Sequence, residues 1–145
     1  MVNGPSILSI PLTAIFNLHQ NMKTAFIVFA GSGIGGVARF AVQSWVASLD
    51  QFIFPVGTFI VNLAGCLLIG LFYALGEKGS LLTPEWRIAL TTGFCGGFTT
   101  FSTFAFENMN LLRTGDYVYF ALYLFLSILL GIAGVFLGIA IIKFV

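Results

Sequence analysis

The stretch GFCGGFTTFSTF, residues Gly93–Phe104, decides the fold because it interrupts an apolar run that is long enough to cross a membrane. It contains three glycines, which weaken a helix, and four hydroxyl residues, which can bond the backbone locally and stabilise a non-helical turn. Backbone groups freed at membrane depth are tolerated only where protein or water satisfies them. The stretch therefore predicts a discontinuous membrane helix, and a merely kinked helix is the alternative.

The composition of the whole chain is that of an integral membrane protein. Of its 145 residues, 59% are hydrophobic and only 8% are charged, too few to cover a soluble surface. The net charge of +1 excludes a nucleic-acid binder held by phosphate contacts. Cys66 and Cys95 both fall inside apolar runs, so we do not expect a disulfide framework.

Four apolar runs predict four membrane helices, because about 20 apolar residues cross a bilayer. The connections between the runs are short and leave no room for a soluble domain. The runs extend from about Thr24 to Leu49, from Pro55 to Leu75, from Pro84 or Ile88 to Phe106, and from Tyr117 to Ile142. The sequence thus predicts an all-α membrane protein with four transmembrane helices, of which the third is broken.

The distribution of basic residues bears on the orientation in the membrane. Four crossings would place both termini on one side, together with the connection at residues 76–83. That side would carry Lys23, Lys78, Arg87 and Lys143, whereas the other side has Arg113. The positive-inside rule therefore favours cytoplasmic termini. The margin is small, so a dual orientation stays open.

The first 21 residues differ from the rest of the chain. They lack the basic start and the small-residue cleavage pattern of a signal peptide. Their apolar part, residues 7–18, is too short to span a membrane. Met22 and Lys23 resemble a natural start that leads directly into the first span. We therefore expect residues 1–21 to be a dispensable extension and residues 22–145 to form the transmembrane domain.

Two polar residues inside the predicted spans call for an explanation. Arg39 interrupts the first span; an intramembrane arginine usually faces protein or water on a functional path, and snorkelling to the interface is the alternative. Asn62 lies in the second span, where an unpaired amide would cost several kcal/mol. Its side chain is either a bond between helices or a contact to a ligand.

The interrupted third span has the properties of an ion site. Unwound carbonyls and helix C-terminal ends bind cations, and helix N-terminal ends favour anions. Phe101 and Phe104 share a helix face, and the positive edge of a phenyl ring can stabilise an anion. Thr100, Thr103 and Glu107 form a polar line beside them. The alternatives are lipid or core contact for the rings and a solvated carboxylate for Glu107.

Three blocks of the sequence carry a resemblance to a known family. GGFTTFSTF at Gly96–Phe104, GGVARF at Gly35–Phe40 and GTFIVNLAGC at Gly57–Cys66 resemble motifs of the Fluc (CrcB-type) fluoride channels. The similarity covers Met22–Val145, and the first of these blocks is the most specific. By this resemblance we expect a fluoride-selective channel for passive fluoride export, not an enzyme, in a bacterial plasma membrane.

The resemblance also implies an assembly and a set of site residues. Two identical subunits would pack as an antiparallel, dual-topology homodimer in the lipid bilayer, around a central structural sodium ion and two fluoride pores. The backbone carbonyls of Gly96 and Thr99 would bind the sodium ion, and Arg39 would lie towards a vestibule. The fluoride pore would be lined by Asn62, Phe101, Phe104, Ser127, Tyr123, Thr58, Thr103 and Glu107.

Two other functions stay open at this stage. A small proton-coupled exporter would need a titratable carboxylate deep in a span, and the chain has only Glu107 near a span end. A non-transporting assembly protein would explain the glycines but not the motif blocks. Catalysis has no support, because the membrane domain has no histidine, no metal-ligand cluster and no nucleophile beside a base.

Overall fold

The fold is entirely helical over the part of the chain that the structure describes. The structure, a computed structural model, describes residues 12–49, 53–78 and 82–144, with side chains from residue 20 onward in these ranges. The elements are α1 (Leu12–Leu49), α2 (Val56–Glu77), α3 (Pro84–Ile88), a π-helix (Ala89–Cys95), α4 (Gly96–Phe98), α5 (Phe101–Thr114) and α6 (Tyr117–Phe144). These ranges contain no strand, so the predicted all-α class is confirmed.

Within the described ranges, three helices are long and apolar enough to cross a membrane: Gln20–Leu49 of α1, all of α2 and all of α6. They coincide with the first, second and fourth predicted spans, and the chain is a multi-pass membrane protein. Helix α1 begins at Leu12, so residues 12–21 of the predicted extension are helical. Residues 1–11 lie outside the described residues, and the dispensability of the extension stays a prediction.

The region of the third predicted span is divided into two helical segments. The backbone is continuously helical from Pro84 through the π-helix to Phe98, because the joining residues Ala89 and Gly96 both have right-handed helical angles. Thr99 and Thr100 are then extended, with ψ of 161° and 114°. Helix α5 begins directly afterwards, so Thr99 and Thr100 form a two-residue interruption between the two helical segments.

Helix α5 continues beyond Phe106, where the third predicted span ends, into the segment before the fourth predicted span. It extends to Thr114 because Asn108 and Leu111 turn inward and are buried, which gives this segment a packed face. Gly115 then ends the helix with φ of +82°, a left-handed conformation that glycine adopts without steric cost.

Glycines let α1 approach the segment before the interruption closely. Gly31 faces Gly93 of the π-helix, and a Cβ built on Gly31 would lie 3.0 Å from the Gly93 Cα. A Cβ on Gly35 would collide with the Phe94 carbonyl, and one on Gly97 with the backbone of Ser32. The absence of side chains at Gly31 and Gly35 therefore allows this close helix approach.

Candidate functional site

At the interruption, the side chain of Asn62 on α2 forms hydrogen bonds with the extended backbone of Thr100. The Thr100 backbone N–H donates to Asn62 Oδ1 (2.8 Å), and Asn62 Nδ2 donates to the Thr100 carbonyl (3.1 Å). The side-chain amide thus pairs both polar groups of one peptide residue, in the way that a neighbouring strand would. Because Thr100 is only 7% exposed, neither group has water as a ready alternative partner.

The pairing with Asn62 and the cap of α5 each withdraw a helical donor from one carbonyl. In a continuous helix the Thr100 N–H would donate to the Gly96 carbonyl, but it is bonded to Asn62. The Thr103 N–H would donate to the Thr99 carbonyl, but it bonds the Thr100 hydroxyl, which caps α5 (3.3 Å). The two expected sodium ligands are therefore among the carbonyls at this helix end that lack their helical donors.

Arg39 lies against the interruption. Its Nη1 donates to the Thr99 carbonyl (3.2 Å), which leaves one lone pair of that oxygen for a second partner. The guanidinium also places a positive charge beside the interruption, where its field favours an anion. The expected vestibule role of Arg39 stays a prediction.

An open cavity of about 390 Å³ lies along the interruption. Six of the expected site residues line it: Asn62, Gly96, Thr99, Phe101, Phe104 and Ser127. Among the described residues, the buried Ser127 Oγ has no hydrogen-bond partner. The residue lines the cavity while its Oγ is shielded from solvent, so the hydroxyl would reach an anion or water in the cavity after a rotation of the side chain.

The two phenylalanines differ in their surroundings. Phe104 packs edge-on against the ring of Tyr123, with centroids 4.9 Å apart, and it contacts Phe101 at 5.8 Å. The side chain of Phe101 is 80% exposed in the single chain. One ring is thus fixed by its own chain, while the other projects from the chain.

A second cavity of about 580 Å³ is lined by a further group of polar residues. Gln43, Thr58, Thr103 and Glu107 line it. The Glu107 carboxylate accepts two hydrogen bonds of 2.7 Å, one from the Thr58 hydroxyl to Oε1 and one from the fully buried Tyr123 hydroxyl to Oε2. Glu107 is therefore a half-buried group with two hydroxyl donors, in contrast to the fully solvated carboxylate that the sequence left as an alternative.

The structure thus brings the expected site residues into one connected region. The ring of Tyr123 touches Phe104 at the first cavity, and its hydroxyl reaches Glu107 at the second. Two contributors were not singled out from the sequence. They are Gln43 and the buried Asn108, whose Nδ2 donates to the Phe104 carbonyl (2.8 Å).

Comparison with known proteins identifies the family. The model of the CrcB-like protein family (camphor resistance, CrcB) matches residues 26–139. The fluoride-specific ion channel FluC of Bacteroides fragilis is 48% identical over 120 residues, which cover 81% of this chain and 94% of the relative. The protein of the same name from Chlorobium chlorochromatii is 47% identical over 119 residues, 81% of this chain and 92% of the relative. That of Leptospira interrogans is 40% identical over 121 residues, 83% and 95% of the two chains. The chain therefore belongs to the CrcB-like protein family.

Proposed function

We propose that this protein is a fluoride-selective ion channel that lets fluoride leave the cytoplasm passively. Family membership makes it a multi-pass bacterial membrane protein and a transporter, not an enzyme. The proposal rests on the cavity along the interruption, where Asn62 bonds the Thr100 backbone. The residues that line this cavity offer amide, hydroxyl and aromatic-edge donors. The names of the relatives supply the ion.

The donors around this cavity suit a small anion that holds its hydration water strongly. The Asn62 amide has two N–H groups, of which one is bonded to Thr100, so the other is available. Ser127 has a hydroxyl without another partner among the described residues, which would face the cavity after a rotation of its side chain. The ring edges of Phe101 and Phe104 carry partial positive charge. Such donors replace hydration without a buried ammonium, so binding is strong enough for entry and weak enough for exit.

We further propose that two copies assemble as an antiparallel, dual-topology homodimer, with the third crossing of each copy discontinuous at Thr99 and Thr100. Two features of the single chain support this assembly. Phe101 projects outward, and a Cβ built on Gly96 would meet nothing within 4 Å, so this face is open to a second copy.

A structural sodium ion fits this assembly. Hard cations prefer oxygen ligands, and one chain offers two candidate carbonyls, from Gly96 and Thr99. The Arg39 guanidinium on the Thr99 carbonyl opposes a cation at that oxygen, so this ligand would bind sodium through its other lone pair. Two oxygens are few for such an ion, and a second copy would double their number. Bound sodium would add positive charge between the subunits and hold their interrupted helices together.

Reconstituted vesicles test the proposal. The purified protein is placed in liposomes loaded with fluoride or with chloride, and efflux is followed with ion-selective electrodes while an ionophore carries the counter-cation. We expect fast fluoride efflux, no chloride efflux and no requirement for a proton gradient. Fluoride efflux that required a proton gradient would support the exporter alternative, and no fluoride efflux from folded protein would contradict the proposal.

A further inference from the structure

Gln43 is joined to the second cavity by a hydrogen bond whose direction is determined by chemistry. Gln43 Nε2 lies 3.1 Å from Thr58 Oγ1, and Thr58 Oγ1 lies 2.7 Å from Glu107 Oε1. An ionised carboxylate can only accept, so the single proton of Thr58 is directed to Glu107. The amide must then donate to the Thr58 lone pair. Gln43, Thr58 and Glu107 therefore form a directed chain from α1 through α2 to α5.

The packing of α1 against α2 places the Gln43 amide. A Cβ built on Gly57 would lie 3.5 Å from the Gln43 Cα and 3.6 Å from its Cγ, so the stem of Gln43 lies against the bare backbone of Gly57. Thr58, the next residue, is only 2% exposed. Its hydroxyl therefore has few partners other than Gln43 and Glu107.

The carboxylate of Glu107 presents a difficulty for anion passage, which these bonds reduce. A carboxylate beside a path repels an anion, and hydroxyl donors on its oxygens offset its field. Tyr123 supplies one donor, and Thr58 supplies the other only while its proton points at Glu107. The Gln43 amide on its lone pair polarises the Thr58 hydroxyl and thereby strengthens its donation to Glu107.

We propose that Gln43 is a positioning residue of the ion pathway: its amide strengthens the donation of the Thr58 hydroxyl to Glu107, so that the carboxylate repels the passing anion less. The effect on transport rests on the proposed channel function. The hydrogen-bond role does not, and it is measured separately below.

The first test compares fluoride efflux of Gln43→Met with that of the parent protein in liposomes. Gln20→Met is the matched control, since Gln20 lies on the same helix with an exposed side chain. We expect Gln43→Met to slow efflux by about threefold to tenfold, the rate change that corresponds to losing one hydrogen bond, and Gln20→Met to match the parent. If Gln43→Met does not fold, Gln43→Asn, whose amide is one methylene shorter, takes its place. Equal efflux from the two variants would overturn the inference.

A double-mutant cycle asks whether Gln43 acts through Thr58. Because the proposed effect requires the Thr58 hydroxyl, Gln43→Met should cause no further loss in a Thr58→Val protein. Losses that multiply independently would mean that Gln43 acts by another route and would overturn the inference.

Infrared spectroscopy provides a readout that needs no transport. The carboxylate band of Glu107 is assigned by its disappearance in Glu107→Gln. We expect this band to shift in Gln43→Met, because the hydrogen bond from the Thr58 hydroxyl weakens, and to stay in place in Gln20→Met. A shifted band in a protein that transports no fluoride would refute the channel but keep the hydrogen-bond role. An unshifted band would overturn that role even in an active channel.

Discussion

At the scale of single residues, Asn62 combines two bonds to the backbone with one N–H that is not used by them. Its amide pairs both backbone groups of Thr100, and one N–H is left for the cavity. The two possibilities that the sequence left open, a bond between helices and a ligand contact, are therefore compatible in one side chain. The structure establishes the first, and the second belongs to the proposed function.

Replacing Asn62 with leucine should destabilise the protein. The Thr100 N–H and carbonyl would lose their partners while buried, so we expect the free energy of unfolding to fall by about 3 kcal/mol. Asn110→Leu is the matched control, because that half-buried side chain is not part of the interruption. Unfolding of both variants in detergent measures the difference. An equal loss of unfolding free energy would show that the hydrogen bonds between Asn62 and Thr100 contribute little.

Phe101 permits a cleaner test of transport than Asn62. Its side chain is 80% exposed in the single chain, so Phe101→Ile should leave the subunit fold intact. We expect fluoride efflux to fall by about tenfold or more, because the positive ring edge is lost. The control is Phe106→Ile, a 60% exposed ring elsewhere on α5. Unchanged efflux in Phe101→Ile would remove Phe101 from the pathway.

At the scale of helices, glycines decide how closely the elements approach. Helix α6 packs on α2 through buried glycines that differ in the space around them. A Cβ on Gly138 would collide with the Leu67 carbonyl and lie 2.8 Å from the Leu71 N. Both are backbone atoms of α2, which cannot move without moving the helix. A Cβ on Gly134 would make ordinary contacts, the nearest at 3.6 Å.

These two glycines form a matched pair for substitution. Gly138→Ala should lower the free energy of unfolding by about 2 kcal/mol, since α2 and α6 would have to separate. Gly134→Ala should be neutral or stabilising, because alanine is the better helix former by about 1 kcal/mol. Thermal unfolding of the purified variants gives the comparison, and a larger loss in Gly134→Ala would contradict this account of the packing.

At the scale of the whole molecule, one chain leaves the candidate pathway open on one side. The cavity along the interruption, the projecting Phe101 and the bare Gly96 lie on surface that the described residues of one chain do not cover. The proposed second copy would cover this surface and double the number of candidate sodium ligands.

The assembly can be tested by mass and by ion exchange. We expect the detergent-solubilised protein to have twice the 15.7 kDa mass of one chain. Replacing sodium with a large organic cation should lower its thermal unfolding temperature, because the subunits would lose a shared ion. A monomer at working concentration, or a dimer of equal stability in both salts, would contradict the corresponding part of the proposal.

The sequence alone determined the class of the protein, and the discontinuous third crossing that it predicts stays a prediction. Its sparse charge and long apolar runs leave a helical membrane protein as the solution, because lipid satisfies no backbone polar group. The glycines and hydroxyl residues of Gly93–Phe104 marked the stretch in which Thr99 and Thr100 are extended, since their local chemistry competes with a helix.

Only the tertiary structure decided which groups meet across the interruption. The pairing of Asn62 with Thr100, of Arg39 with the Thr99 carbonyl and of Gln43 with Thr58 joins residues that are 38, 60 and 15 positions apart. Helix periodicity assigns each residue to a face, but it does not say which neighbouring helix that face meets or at what height. Those relations follow from the close approach at Gly31, Gly35 and Gly57, where a missing side chain lets two backbones come near enough for these polar groups to bond.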